Sequence, residues 1–344
     1  MGRLAERIRM GGVVDKFESK TPYPKDMLLE VTNACNDKCI FCANSKMTRK
    51  RGIIKPELAY RVIKEGSDLG VRSIGFYATG EPLLNKDLEK YITFAKTSGY
   101  EYTYLTTNGG LLSCDRAESL LDAGLDSLKI SLNAACADDY YLVHGVDDFD
   151  SVIKNIRRFN DIRAKREHVC SLYISCVKIR QLPDLESQIK ALLGGVVDEI
   201  AFDVARNVSG CMGEIKNYLS VNDDGKYQPH KGICPMPFNK IIISYEGYLT
   251  MCCLDYQNYL TVADLNHCTI KDAWNNENAC LFRQKMKAGI LEGLLCSNCL
   301  KNKTEHVEPL SRNHSTYVNM EEWGVSATVE NRIDDWMKKR NTGE

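Results

Sequence analysis

The 344-residue sequence lacks any apolar run near the roughly 18 residues needed to cross a bilayer. Neither sign of charge dominates: 45 Lys and Arg stand against 46 Asp and Glu, a net −1. No basic field therefore exists to draw in nucleic acid or anionic lipid. The one basic run, "KMTRKRG" from Lys46, is short and reads as a solvated loop. The N-terminus, "MGRLAERIRMGGVVDKFESK", carries charges where a signal peptide needs an apolar stretch. Glu6 stands where a myristoylation signal wants Ser or Thr. No internal repeat is evident. These absences predict a cytoplasmic protein that binds neither nucleic acid nor membrane.

Cysteine, by contrast, is abundant, with 15 in the chain. In a reducing compartment, clustered thiols read as metal ligands or redox groups rather than disulfides. Seven fall into two patterns, Cys35/Cys39/Cys42 and Cys234/Cys252/Cys296/Cys299, and the remaining eight are scattered.

Between about Asp26 and Ala205, β-branched or aromatic runs alternate with amphipathic stretches. The runs are 27–33, 73–79, 101–108, 127–133, 170–179 and 199–205. "PELAYRVIKEGSDLG" opens on Pro56 and closes at Gly70, both helix-end signals. Strand–helix alternation at this spacing predicts a parallel sheet, and six units suit an open or partial barrel. Chemistry in such folds gathers where strands end at their C-termini. The unusual residues sit there: "TNACNDKC", "ATGEPLLN", "TTNGG", "SLNAA" and "ARNVSG" each follow a predicted strand. Beyond Arg206 the chain turns polar, then shows two apolar runs around "YEG", a hairpin pattern. "IKDAWNNENACLFRQKMKAG" reads as one helix, followed by "CSNC". The expected divisions are an N-terminal segment (1–25), a barrel (26–206), a bridging loop (207–233), a second cysteine region (234–300) and a C-terminal segment (301–344).

Three thiols in C-x3-C-x2-C spacing can hold three irons of a cubane and leave the fourth open. A closed zinc site wants a fourth Cys or His nearby, and none lies between Glu30 and Arg72 apart from these three. Zinc with a distant ligand, or incidental buried thiols, are the alternatives. The four later cysteines make a complete site, for which ligand chemistry allows zinc or a [4Fe–4S] cluster. Gly247, five residues before Cys252, selects Cys252 over Cys253 as ligand.

C-x3-C-x2-C after the first strand, with Phe41 just ahead of Cys42, resembles the signature of the radical S-adenosylmethionine (SAM) enzymes. The resemblance implies a partial (β/α)6, TIM-like barrel whose [4Fe–4S] cluster binds SAM through the open iron. Reduction by an external donor such as flavodoxin or ferredoxin would then yield a 5′-deoxyadenosyl radical. Carried over onto this sequence, Phe41 joins the cofactor contacts, and the Thr79–Gly80 backbone with Glu81 of "ATGEP" takes the cofactor's ammonium. Thr79 stands where the family often has glycine. Ser131 and Asn133 of "KISLN", with Asn108, resemble residues that reach the ribose or carboxylate. The region from Cys234 through "CSNC", with "DAW" at 272–274, resembles the one-cluster "twitch" form of the SPASM extension. It is especially similar to that of aminocyclitol alcohol dehydrogenases.

That likeness implies an auxiliary [4Fe–4S] cluster with no vacant iron, fit for electron transfer. The expected reaction is oxidation of a secondary alcohol of a sugar, polyol or aminocyclitol to a ketone. Arg206 is expected to contact the substrate oxygen, though a cofactor anchor or a surface arginine fits equally. Asp255 is an alternative base, or ties down the cluster loop. A second reading is epimerisation, with Cys211 or Cys253 returning a hydrogen; as bland thiols they would only pack. A third is maturation of a ribosomal peptide, although the leader-binding domain of such enzymes is not evident. A fourth is a non-enzymatic scaffold or redox sensor. His144 and His267 read as ordinary surface or packing histidines.

Overall fold

The computed structural model describes residues 16–205, 208–210, 232–301, 305–314, 332, 334–336 and 338–339. Nine strands form one sheet in the order β6-β5-β4-β3-β2-β1-β7-β8-β9. The first six are β1 (Asp26–Leu29), β2 (Ser73–Gly75), β3 (Tyr102–Thr107), β4 (Ser127–Ser131), β5 (Ser171–Lys178) and β6 (Glu199–Val204). All run parallel, each paired with its sequence neighbour. They coincide with the six runs read from the sequence, β1 beginning one residue ahead of its run and the other five lying within theirs.

Six helices connect or follow these strands: α1 (Pro56–Asp68), α2 (Leu88–Thr97), α3 (Cys114–Asp122), α4 (Ala137–His144), α5 (Phe149–Arg163) and α6 (Leu185–Leu193). Pro56 starts α1 where its missing N–H costs nothing, and Leu58, Ala59, Val62 and Ile63 form its buried stripe. Strand alternation then sorts the sheet into two faces. Met27, Leu29, Ile74, Phe76, Leu105, Leu128, Ile130, Leu172 and Ile174 are sealed into the core with the helices. The other face is polar and carries Asp26, Glu30, Tyr77, Tyr104, Lys129, Ser131 and Ser175.

The C-terminal region extends the same sheet. β7 (Lys240–Ile243) pairs parallel with β1, Asp26 opposite Lys240 and Leu29 opposite Ile243. β8 (Tyr248–Thr250) returns antiparallel through the expected "YEG" turn. A ninth strand, β9 (Thr261–Asp264), was not expected. "IKDAWNNENACLFRQKMKAG" forms two helices rather than one: α7 (Ile270–Trp274) and α8 (Glu277–Ala288). The break has a local cause. Asn276 takes an extended backbone conformation and its side chain accepts from Ala279 N–H, so it caps a new helix instead of continuing the old. "CSNC" lies on α9 (Leu295–Lys301). Trp274 donates to the carbonyls of Thr21 and Pro22, and Arg283 stacks 4.2 Å over its ring. The D-x-W stretch and the following helix thus pin the extension to the start of the chain. No described helix is long and apolar enough to cross a membrane.

Candidate functional site

Parallel strands bring the loops after β1, β2, β3 and β4 to one edge, and the loops interlock there. Gly80 shows how closely. A side chain on it would stand 2.5 Å from the carbonyl oxygens of both Thr32 and Ala34, so only glycine lets the β2 loop touch the cysteine loop. Glu81 N–H donates to Ala34 C=O at 2.7 Å. Its buried carboxylate accepts from Leu83 N–H (2.9 Å), Thr107 Oγ1 (2.7 Å) and Asn108 N–H (2.7 Å). Burial nevertheless pushes its pKa up to about 7, against the pull of those three donors.

Cys35, Cys39 and Cys42 share this loop. Burial is the main cause of a raised pKa in all three, to about 12 for Cys35. Proximity adds to it: Cys42 raises Cys35, and Cys35 and Cys42 both raise Cys39. The three sulfurs therefore converge, and they need a cationic partner to ionise together. Phe41 between them is half-buried against the core.

The basic run from Lys46 is not a solvated loop. Arg49 is buried, donating through Nε to Glu246 (2.9 Å) and pairing with Glu30. Arg51 donates to Asn33 C=O and Asn44 Oδ1, both at 2.8 Å, and its charge favours ionisation of Cys42. A cluster of thiols and carboxylates needs such cations close by, which a count of loop charges does not show.

Several expected cofactor contacts are committed to the protein itself. Thr79 Oγ1 donates to Glu30. Asn108 Nδ2 donates to Asn36 (3.0 Å) and Asp37 (2.8 Å), bracing the cysteine loop. Asn133 accepts from Val177 N–H at 2.8 Å and meets His144 through Nδ2 at 3.2 Å. Ser131 stays half-exposed on the polar face, in register with Ser175.

His144 is not the ordinary packing residue expected. It is buried at the centre of this edge, 2.9 Å from Asp37 and 3.7 Å from Cys39 Sγ. Asp37, Cys39 and His144 present ligand atoms within 4.8 Å of one another. A backbone N–H aimed at Nε2 places the ring proton on Nδ1, however, so Nδ1 offers no lone pair to a metal. Asp37 and His144 were missed because their partners lie about a hundred residues away along the chain.

The second cysteine set also converges. Cys299 raises Cys234, and Cys234 and Cys299 raise Cys296, behind burial as the main cause. Cys252 is raised by its hydrogen bond with Cys253, by burial, and by Cys296 among other neighbours. Cys253 lines one cavity with Glu30, Thr79 and Ser244, and its bond with Cys252 draws its pKa down, with Lys240 and Lys129 adding to the pull. Asp255 has both oxygens occupied, by Tyr259 N–H (2.8 Å), Thr250 Oγ1 (2.8 Å) and Leu260 N–H (2.7 Å). That geometry ties down the loop after Cys252. The same loop reaches the first site, placing the Tyr256 hydroxyl 3.9 Å from Cys42 Sγ. Arg206 and Cys211 lie outside the described residues.

Donor chemistry fits each set to its group. Three thiols with no fourth thiol beside them among the described residues suit a cluster with an open iron, and four suit a closed one.

The chain carries a Radical SAM superfamily domain, matched over residues 29–175, and the iron–sulfur cluster-binding SPASM domain, matched over 234–300. It is therefore an enzyme family member whose first domain binds a [4Fe–4S] cluster and SAM and whose second binds auxiliary iron–sulfur clusters. Among curated proteins it is 36% identical over 138 residues to a probable GTP 3′,8-cyclase of Saccharolobus solfataricus, covering 40% of this chain and 44% of that one. The matched part thus spans less than half of that relative. Among solved structures it resembles BtrN in complex with AdoMet and 2-DOIA (TM-score 0.54, 18% identity, 83% of this chain and 97% of that one). It also resembles Streptococcus suis SuiB bound to precursor peptide SuiA (TM-score 0.60, 17% identity, 78% and 67%). A third is anSMEcpe with bound AdoMet (TM-score 0.59, 14% identity, 92% and 93%). At these identities the likenesses show the fold alone.

Proposed function

We propose that the chain is a radical SAM dehydrogenase that oxidises a secondary alcohol of a sugar- or aminocyclitol-type small molecule to a ketone. Cys35, Cys39 and Cys42 hold the catalytic cluster, and Cys234, Cys252, Cys296 and Cys299 hold the auxiliary one. The observation that carries the reading is the complete four-thiol set beside the incomplete three-thiol set. A cluster closed by four thiolates has no iron free for substrate, which leaves outer-sphere electron transfer as its use. Bound SAM and the reduced first cluster would supply the hydrogen-abstracting radical. The carbinol carbon would give up one hydrogen atom and its hydroxyl one proton, and a cluster held by Cys234, Cys252, Cys296 and Cys299 would supply the acceptor for the one electron left over. Tyr256, reaching from the auxiliary loop to Cys42, supports short communication between the two sites.

Gly80 and Glu81 shape the cofactor edge, and the backbone of Thr79 with the carboxylate of Glu81 faces the ammonium. Asn108 and Asn133 act by bracing that edge, and Asp255 by fixing the auxiliary loop. On the polar face, Lys129 is our addition as a substrate contact. Its ammonium stands over the Tyr77 ring at 5.6 Å and has no hydrogen-bond acceptor among the described residues. It can orient a substrate oxygen. Arg206 retains its proposed place at the substrate oxygen.

A second reading draws on Cys253, whose thiol is near enough to Lys240 and Lys129 for both to lower its pKa. In an epimerase it would return a hydrogen atom to the substrate carbon. Anaerobic turnover in heavy water with a panel of cyclitols and sugars separates the two. Dehydrogenation yields a carbonyl product, methionine and 5′-deoxyadenosine, with no solvent deuterium entering carbon. Deuterium in a recovered alcohol, lost in Cys253→Ala, would replace this reading with epimerisation. Turnover of a peptide but of no small polyol would replace both.

A further inference from the structure

His144 closes α4, and both its backbone and its side chain meet the cysteine loop. Carbonyls in the last turn of a helix have no partner further along it. Those of Val143 and His144 accept instead from Ile40 N–H (2.9 Å) and Lys38 N–H (2.8 Å). Gly145, at φ +73°, turns the chain away and leaves those carbonyls open to the loop. The main chain between Asp37 and Ile40 is therefore strapped to α4 without help from any side chain.

The imidazole adds a contact with direction. Nε2 lies 3.3 Å from the backbone N–H of Asn133 and 3.2 Å from its Nδ2. A backbone N–H can only donate. The Asn133 amide is also fixed, because its Oδ1 accepts from Val177 N–H at 2.8 Å. Nε2 must therefore be the unprotonated acceptor, and the ring proton sits on Nδ1. Tyr140 lies parallel to the ring, 4.0 Å away at an interplanar angle of 7°, and prevents it from turning over. Nδ1–H is thus aimed at the gap between Asp37 Oδ2 (2.9 Å) and Cys39 Sγ (3.7 Å).

We infer that His144 is a positioning residue for the catalytic cluster, presenting a fixed Nδ1–H donor to Cys39 sulfur and Asp37 that raises the cluster's reduction potential. An N–H aimed at a ligand sulfur stabilises the more negative, reduced cluster. The same proton shares the Asp37 carboxylate, whose unshielded charge would favour the oxidised cluster. Both effects have one sign. The inference rests on the placement of the first cluster at Cys35, Cys39 and Cys42, and is independent of the substrate or reaction.

The amide nitrogen of Asn can occupy the place of Nδ1, the amide of Gln reaches the place of Nε2, and Phe keeps the ring without a donor. Reconstituted wild type, His144→Asn, His144→Gln and His144→Phe are compared by potentiometric titration followed by electron paramagnetic resonance, without SAM or substrate. His144→Gln and His144→Phe should lower the midpoint potential of the first cluster and shift its g-values. His144→Asn should stay near wild type, and the auxiliary cluster should not move in any variant. Wild-type behaviour of the Gln and Phe variants, or an Asn variant that shifts as far as Gln, overturns the inference. Iron counts cover failures of loading. Loss of about four irons in Gln and Phe but not in Asn supports the donor, whereas equal loss in all three rejects it. Wild type with only an auxiliary signal would overturn the ligand assignment, and this inference with it, while full loading with unchanged potentials removes the inference alone.

Discussion

Glu81 shows what a single buried carboxylate does to the cluster-free protein. Its folded pKa of about 7 lies above the value of about 4.3 in an unfolded chain. Between those values the folded state binds more protons than the unfolded one, so stability falls as pH rises through the window. The span corresponds to roughly 4 kcal/mol. Urea midpoints of the apo-protein at pH 5 and pH 8 check this against Glu81→Gln. Wild type should lose more stability than the variant over that interval, and equal losses would refute the shift. A cation arriving at Glu81, such as the ammonium proposed for it, reverses the preference. The position of Glu81 after β2 was legible in "ATGEP". Its three donors were not, because Thr107 and Asn108 come from another strand. Asn108 and Asn133 also lie at the expected edge, yet their amides are spent on Asp37, Asn36 and His144. Residue type and strand order revealed the location; which partner claims each amide depended on loops brought in from elsewhere.

At the scale of elements, the β1 end and the β7–β8 turn are joined through Arg49. Glu30 follows β1, is 1% exposed, and accepts from Arg49, Thr79 and the N–H of Tyr245 (3.0 Å). Burial pulls the Arg49 pKa down, but Glu30 and Glu246 overcome it and hold the guanidinium charged. Removing the cation leaves Glu30 buried without an opposite charge, a loss of about 3–5 kcal/mol. Glu246 is more open to solvent, so Glu246→Gln should cost about 1 kcal/mol or less. Urea unfolding of Arg49→Met and Glu246→Gln tests the asymmetry, and similar costs for the two would contradict it. The hairpin itself was readable from two apolar runs around "YEG". Its place as a parallel neighbour of β1 was not, because nothing local to residues 240–243 specifies an edge about 210 residues earlier. β9 was missed for a related reason: four residues, Thr261–Asp264, are too few for alternation to register.

For the whole molecule, the sheet makes the two cysteine sets parts of one body. β1 carries the loop with Cys35, Cys39 and Cys42, and β7 lies directly beside it. The loop after β8 brings Cys252 and sends Tyr256 back to Cys42, while Gln257 accepts from Thr48 N–H at 3.2 Å. Cys296 and Cys299 sit on α9, outside the strand ladder, so substituting them removes ligands without touching the β1–β7 register. Cys296→Ala/Cys299→Ala should therefore fold, with iron falling from about eight atoms to about four after anaerobic reconstitution. Its first site should still cleave SAM, yielding 5′-deoxyadenosine, but ketone formation should drop well below one per deoxyadenosine because the ketyl electron has lost its acceptor. Iron and sulfide analysis and the ratio of the two products measure these consequences separately. Iron that stays near eight would disprove the ligand set. A fall to about four with ketone and deoxyadenosine still matched would leave the ligands in place and rule out the auxiliary cluster as electron acceptor. Loss of SAM cleavage in the same variant would mean that the second cluster also supports the first.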